Sequence, residues 1–274
     1  MKKLFIASLI LMVCACTDWK SGETGLADLS WGTAELCIEA PIAPGEKYCY
    51  QIKIELDTLA GESELARQLA SVLRDSVLNT PGLLTIQKAI SVFADSIETD
   101  WKAELAENYE PESEYKDMFQ YYYNVEGKAL SESSLKGEEP NQEASPSRGG
   151  LEGSVLSYQV TTSCYLGGAH GSYVVWYYNF DRANGKLLNI EDIVPADKEK
   201  EVLKAMEVQL CGDWDAKDLA DLQEKTGITM LGDLYLTNNF LLKKDSITFL
   251  FNQYEIAPYA AGLISVTIPF APSR

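Results

Sequence analysis

Two hydrophobic periods alternate in blocks along this chain, and the order of the blocks restricts the fold more than any other feature. In residues 34–39 the apolar positions are Ala34, Leu36 and Ile38, and in residues 49–56 they are Tyr50, Ile52, Ile54 and Leu56. A period of two marks strands with one buried face. The period then lengthens. Leu65, Leu69, Val72, Leu73 and Val77 recur at helical spacing within residues 62–78. Thr80-Pro81 marks the restart of a second helix, with Ile86, Ile90, Phe93, Ile97, Trp101 and Leu105 as its stripe, running to about Tyr109. These stripes are core faces and imply no cofactor. Residues 115–125 return to a strand pattern, and residues 126–153, rich in Ser, Glu, Gly and Pro, are expected to form a mobile, solvated connection.

The remainder repeats the alternation. Residues 154–166 carry an apolar face at Leu156, Tyr158, Val160, Thr162 and Cys164, and residues 173–180 are apolar on both faces, as in a central strand. Asn184-Gly185 turns the chain into a strand at 186–190. A helix follows with Val202, Leu203, Met206 and Leu210 inward, then a polar helical stretch to about Lys225. Strands at 240–242, 247–251 and 264–270 close the sheet. Strands and helices in blocks predict an α+β fold of antiparallel sheets packed against helices. The expected parts are an N-terminal α+β half (31–125), the polar acidic linker or loop (126–153) and a C-terminal α+β half (154–274).

Residues 1–30 stand apart. Lys2 and Lys3 precede the apolar run 4–13, too short to span a bilayer and suited to a signal peptide. The run ends in Val13-Cys14-Ala15-Cys16, which resembles the processing site of bacterial lipoproteins, with Cys16 as the acylated residue and small Ala15 before it. Cys14 fits less well, because Val13 precedes it. On this resemblance residues 1–15 are the signal peptide and 16–30 a tether, and Thr17, which is not Asp, favours the outer over the inner membrane.

Charge narrows the function. With 23 Lys+Arg against 41 Asp+Glu the chain carries −18, and loss of Lys2 and Lys3 with the leader gives 21 minus 41, or −20. So acidic a body lacks the basic face that nucleic acids need. Its single His, His170, excludes sites built on several imidazoles, and neither a metal nor another cofactor is expected.

Export permits disulfides, and four cysteines remain beyond Cys16. Cys37 and Cys49 both fall on the polar parity of their strands. Joined by a turn-rich segment, the strands are expected to form a hairpin bridged by Cys37–Cys49, worth up to ~3 kcal/mol. Cys164 and Cys211 are either buried free thiols or a second bridge.

Ser133-Ser-Leu-Lys136, Tyr177-Tyr-Asn179 and Lys225-Thr-Gly227 follow the order of the three short motifs of serine penicillin-recognising enzymes. That chemistry needs the serine at the start of a buried helix and Lys-Thr-Gly on an adjacent strand, and the surrounding patterns supply neither. Glu191-Asp192 is a turn and helix start.

A more specific resemblance rests on Tyr165-Leu-Gly-Gly-Ala-His-Gly171, Tyr178-Asn-Phe-Asp181 with Gly185-Lys186, Asn189-Ile-Glu-Asp-Ile-Val194, Phe251-Asn-Gln-Tyr-Glu-Ile-Ala-Pro-Tyr-Ala-Ala-Gly262 and Val266-Thr-Ile-Pro269. Together they resemble an envelope domain-of-unknown-function family. It is shared by the lysozyme-sensing extracellular part of RsiV-type anti-sigma factors and the non-catalytic N-terminal part of PdaC-type peptidoglycan deacetylases. Neither the sigma-binding segment nor the deacetylase domain is evident here, so only the binding module is expected. The resemblance implies a lipid-anchored envelope protein, not an enzyme, that binds or senses lysozyme or another basic protein. A module for peptidoglycan or another envelope glycan is the alternative, and an envelope hydrolase ranks third.

Two small-residue loops in these motifs are the candidate ligand contacts. Gly167, Gly168 and Gly171 permit close backbone approach around His170, which can hydrogen-bond a ligand, or the segment is simply a tight turn. The loop 257–262 presents Tyr259 as an aromatic anchor, or it is a sheet corner. Both loops are expected at one end of a single sheet.

Overall fold

The computed structural model describes residues 29–41, 49–83, 85–108, 121–130, 155–166, 169–227, 229–230, 232–243 and 246–269. Strands β1 (Trp31–Pro41) and β2 (Cys49–Leu59) pair antiparallel with Leu36 opposite Ile54 and Ile38 opposite Ile52. The alternation thus buries Ala34, Leu36, Ile38, Tyr50, Ile52, Ile54 and Leu56 on one face, as the period of two requires.

Helix α1 (Glu64–Val72) starts at Ser63, whose Oγ accepts the Ala66 N–H at 3.1 Å. Its last turn loosens into a π-turn, Leu73–Val77. The N–H and hydroxyl of Thr80 both donate to the Arg74 carbonyl, at 2.8 and 3.1 Å, which ends this helix. Thr80-Pro81 is therefore not the expected restart. Helix α2 (Ile86–Asn108) begins after Thr85, whose Oγ1 accepts the Lys88 N–H at 3.2 Å. Ile86, Ile90 and Trp101 are buried, with Phe93 and Ile97 packed against the same core.

This helical excursion lets β3 (Tyr121–Ala129) return parallel to β2, with Ile54 opposite Val125. The antiparallel expectation fails at this one pair of the large sheet. The strand also runs on to Ala129, so residues 126–129 belong to the sheet and not to the connection. Strands β4 (Val155–Tyr165), β5 (Ser172–Asp181) and the two-residue β6 (Leu187–Leu188) complete a six-stranded sheet in the order β1-β2-β3-β4-β5-β6. The expected strand 186–190 is cut short because Ile190 opens helix α3 (Ile190–Ile193), whose N-terminus is held by a capping box between Asn189 and Asp192. The two halves inferred from sequence thus share one sheet.

A second core lies beyond α3. Helices α4 (Glu199–Asp213) and α5 (Leu219–Thr226) pack Met206, Leu210 and Leu222 against Phe240, Phe249, Phe251 and Val266. The aromatic and β-branched partners come from an antiparallel sheet of β7 (Phe240–Leu242), β8 (Ser246–Phe251) and β9 (Ile264–Pro269).

Side-chain amides join this second layer to β5. Asn252 Oδ1 accepts the Val175 N–H at 2.8 Å while its amide donates to the Val175 carbonyl at 3.1 Å. Asn239 Oδ1 accepts the Tyr177 N–H at 2.9 Å and its amide donates to the Val175 carbonyl at 2.8 Å. Asn179 closes the seam, donating to the Phe240 carbonyl at 2.7 Å and accepting from Ser157 at 2.8 Å. All three asparagines are buried. Because β6 pairs only with Asn179 and Phe180, these amides do for the rest of β5 what a neighbouring strand would do.

The register corrects the hairpin disulfide. Cys37 lies opposite Lys53 and Cys49 opposite Pro41, four residues further along the ladder. That offset is ~13 Å at the strand rise, beyond the ~7 Å a disulfide tolerates. Cys37 is a free, exposed thiol. Cys164 and Cys211 are free as well, with Cys211 buried at the end of α4.

Candidate functional site

The β4–β5 hairpin and the β8–β9 connection meet at one corner of the molecule. They belong to different sheets, which corrects the expectation of a single sheet end. The imidazole of His170 stacks on the ring of Tyr259 with centroids 3.8 Å apart and planes inclined by 20°. Tyr254 tilts against Tyr259 at 5.8 Å, and its hydroxyl lies 3.5 Å from His170 Nε2. Nδ1 of His170 is 3.1 Å from the Gly171 carbonyl, which can only accept, so Nδ1 is the donor there while Nε2 faces the Tyr254 hydroxyl.

Local backbone explains why these rings converge. A Cβ on Gly171 would lie 2.9 Å from the Cys164 carbonyl oxygen and 3.4 Å from the Tyr122 hydroxyl, so only glycine lets the hairpin close here. After Pro258, a 3₁₀ turn (Tyr259–Ala261) holds Tyr259, and Gly262 ends it at φ +69°, ψ −148°, a conformation reserved for glycine. Tyr254 itself sits at φ +69°, an uncommon conformation for a bulky residue. Its N–H donates to the Ala257 carbonyl at 3.1 Å, and buried Ile256 and Ala257 anchor the loop from below.

The cluster continues on both sides. Tyr122 and Tyr165 stack at 6.4 Å on adjacent strands, and the Tyr122 hydroxyl comes close to Gly171. On the other side, Tyr235 packs edge-on against Phe251 at 5.4 Å with its hydroxyl 3.5 Å from Glu255 Oε2. Burial, and then the Glu255 carboxylate, push the Tyr235 phenol above its usual value. The result is a run of exposed or half-exposed rings with a carboxylate beside it. Tyr254 is 58% exposed and Tyr235 44%, more than a core role would leave open.

Of the residues singled out in the sequence, His170, Gly171 and Tyr259 come together here. Gly167, Gly168 and Cys16 lie outside the described residues, while Cys37 and the backbone of Cys49 belong to the β1–β2 hairpin. Tyr254 and Glu255 were not singled out, although they sit inside the motif 251–262. The signal for Tyr254 was its place between buried Phe251 and Pro258 in a loop too short to bury two tyrosines.

Of the penicillin-recognition pattern, Ser133 and Lys136 lie outside the described residues, and the other two motifs are not placed as that chemistry needs. Tyr177 lies within β5, its phenol pushed up to about 12 by burial. Lys225 ends α5, paired with Asp221 at 3.3 Å, and no strand carries its Lys-Thr-Gly segment. Among the described residues no group of three or more His, Cys, Asp or Glu is placed to hold a metal ion.

The architecture is thus a two-layered α+β fold with an aromatic edge at the meeting point of two loops. Residues 190–271, which include the Tyr254 and Tyr259 loop, match the model of DUF3298, a family described as proteins of unknown function. The fold is also that of a DUF3298 family member from Bacteroides fragilis, with 20% identity, a TM-score of 0.69, and coverage of 90% of this chain and 92% of that one. A DUF3298 family protein from Pseudomonas aeruginosa superposes with 18% identity and a TM-score of 0.53 over 86% of this chain and 89% of its own. No curated protein matches the chain.

Proposed function

We propose that this protein is a lipid-anchored binding protein of the bacterial envelope that uses its aromatic edge to engage a basic protein of the lysozyme class. The observation that carries the reading is the stack of His170 on Tyr259 with Tyr254 beside them. Exposed aromatic residues held by a rigid backbone are the usual anchors of protein interfaces, giving large contact area at small entropic cost. Glu255 and the net charge of −18 supply attraction for a cationic partner. Anchoring through Cys16 rests on the Val13-Cys14-Ala15-Cys16 sequence, and delivery to the outer membrane on Thr17, which is not Asp. Among the described residues no helix is long and apolar enough to cross a membrane. We read the edge as a surface for binding and not for catalysis.

Immobilised protein exposed to lysozyme tests the reading. Raising salt from about 50 to about 300 mM should slow association, because exposed charges are screened. Tyr259→Ala should mainly speed dissociation, at a cost of about 1–2 kcal/mol. Absence of lysozyme binding, or binding indifferent to both loops, rejects it. The open tyrosine faces also suit sugar rings, so insoluble peptidoglycan belongs in the same experiment as the second reading. Fractionation of Cys16→Ala tests the anchor separately, since that variant should lose its acylation and its membrane association.

A further inference from the structure

We infer that a groove on the opposite face of the large sheet is a binding site for a neutral sugar, separate from the aromatic edge and independent of the reading above. Strand alternation puts Tyr122 and Tyr165 toward the edge, and Tyr123 and Cys164 toward this groove. The groove encloses about 500 Å³ between the sheet, the π-turn at Ser76 and Val77, and the segment entering α3. That volume lies in the range of small-molecule sites, ~300–1,000 Å³.

Its lining is of one chemical kind. Trp176 stands in the wall with 38% of its surface exposed, although its cross-strand partner Val160 is buried. Tyr123 is held edge-on by Phe93 at 5.7 Å, and burial pushes its phenol above its usual value. Thr162, Ser172, Asn189 and Asn238 also line the groove, together with aliphatic Val77, Val174, Leu187 and Leu188. Asn238 is fixed in place because its Oδ1 accepts the Ile190 N–H at 2.8 Å, which makes its NH₂ an oriented donor.

None of the described lining residues is charged, in a chain of which 23% is charged. An anion would find no counter-charge there and would be repelled by the body of the protein, while a cation would find stronger partners almost anywhere else on the surface. An indole platform flanked by hydroxyl and amide groups matches a ligand with an apolar ring face and a rim of neutral hydroxyls. That description is a sugar ring.

Saturation-transfer NMR on the full chain, with maltotriose, cellotriose and tri-N-acetylchitotriose as probes, tests the assignment. At least one should bind, and Trp176→Ala should weaken it at least about tenfold, as loss of a stacking anchor does. Thr162→Tyr, which fills the groove with a ring while keeping a strand-favouring residue, should have the same effect and decides the matter if Trp176→Ala does not fold. Tyr259→Ala should leave the affinity unchanged, which separates this site from the edge. No binding of any probe up to about 10 mM, a Kd too weak to matter, overturns the assignment. So does binding that both groove variants leave intact, or that Tyr259→Ala abolishes.

Discussion

Asn252 satisfies both backbone groups of Val175, accepting its N–H at 2.8 Å and donating to its carbonyl at 3.1 Å. One side chain from the second layer thereby replaces two bonds of a missing strand. Asn252→Ala leaves the Val175 N–H without this acceptor in a buried place, at a cost of about 1–3 kcal/mol per unsatisfied group. Thermal denaturation should show a lowered Tm with no change in far-UV signal at low temperature. Asn252→Asp should cost at least as much, because it sets a buried carboxylate against the Val175 carbonyl. Equal stability of either variant with the parent would mean that this seam contributes nothing.

Tyr158 reaches across a neighbouring strand. Its ring, fully buried on β4, passes over Gly127 of β3, and its hydroxyl donates to the Asp57 carbonyl at the end of β2 at 2.8 Å. A Cβ on Gly127 would sit 2.5 Å from the Tyr158 hydroxyl oxygen and 2.7 Å from Leu56 Cδ2. Gly127→Ala should therefore destabilise by about 1–3 kcal/mol through overpacking. Tyr158→Phe should cost less, about 1 kcal/mol, because only one hydrogen bond is lost. Urea unfolding of both variants checks the order.

Alkaline pH should unfold the protein. Burial raises the Tyr177 phenol to about 12, and burial likewise pushes Tyr50 and Tyr158 above their usual value. A pKa raised on folding means that the native state holds the proton more tightly than the unfolded chain. That contribution is fully present below the unfolded value of ~10 and is lost as pH rises through the folded values. Stability should begin to fall above about pH 8.5, where the Cys164 and Cys211 thiols, also pushed up by burial, start to ionise in the unfolded chain, and fall further above about pH 10, with the tyrosinate absorbance rising together with loss of structure. Early, independent ionisation of all tyrosines would contradict their burial.

Cys37 should react as a free thiol. It is exposed and sits opposite Lys53, so Cys49 is out of its reach. Alkylation of native, oxidised protein followed by peptide mapping should label Cys37 and recover no 37–49 pair. Cys211, buried with its thiol pushed up by burial, should label only after unfolding.

What sequence disclosed here follows from physics that acts locally. The period of two in β1 and β2 placed the alternating buried face of that hairpin, because strand parity depends on the chain alone, but not Trp31 or Asp57, which are buried off that parity. Parity gave the face of Cys37 but not its register: the same alternation is preserved by any even shift, and only the turn fixes which residues are opposed. Thr80-Pro81 misled for a related reason. Its hydroxyl and N–H serve the preceding helix, a role set by where Arg74 lies in space. The meeting of His170 with Tyr259 was legible as two loops worth watching, while Tyr254 joins them through a backbone conformation that no composition rule announces. The groove around Trp176 had no sequence signature, since its described walls come from six separate segments of the chain.

The DUF3298 match begins at residue 190, after β5 has ended, yet the asparagines it contributes are bonded to β5. The matched segment and the mechanical unit are therefore different in extent. Transplanted alone into another protein, residues 190–271 would carry Asn239 and Asn252 as buried polar groups with nothing to hold, a penalty that grows as the host offers no exposed strand. Such a segment keeps its amides satisfied only together with a strand whose edge it seals.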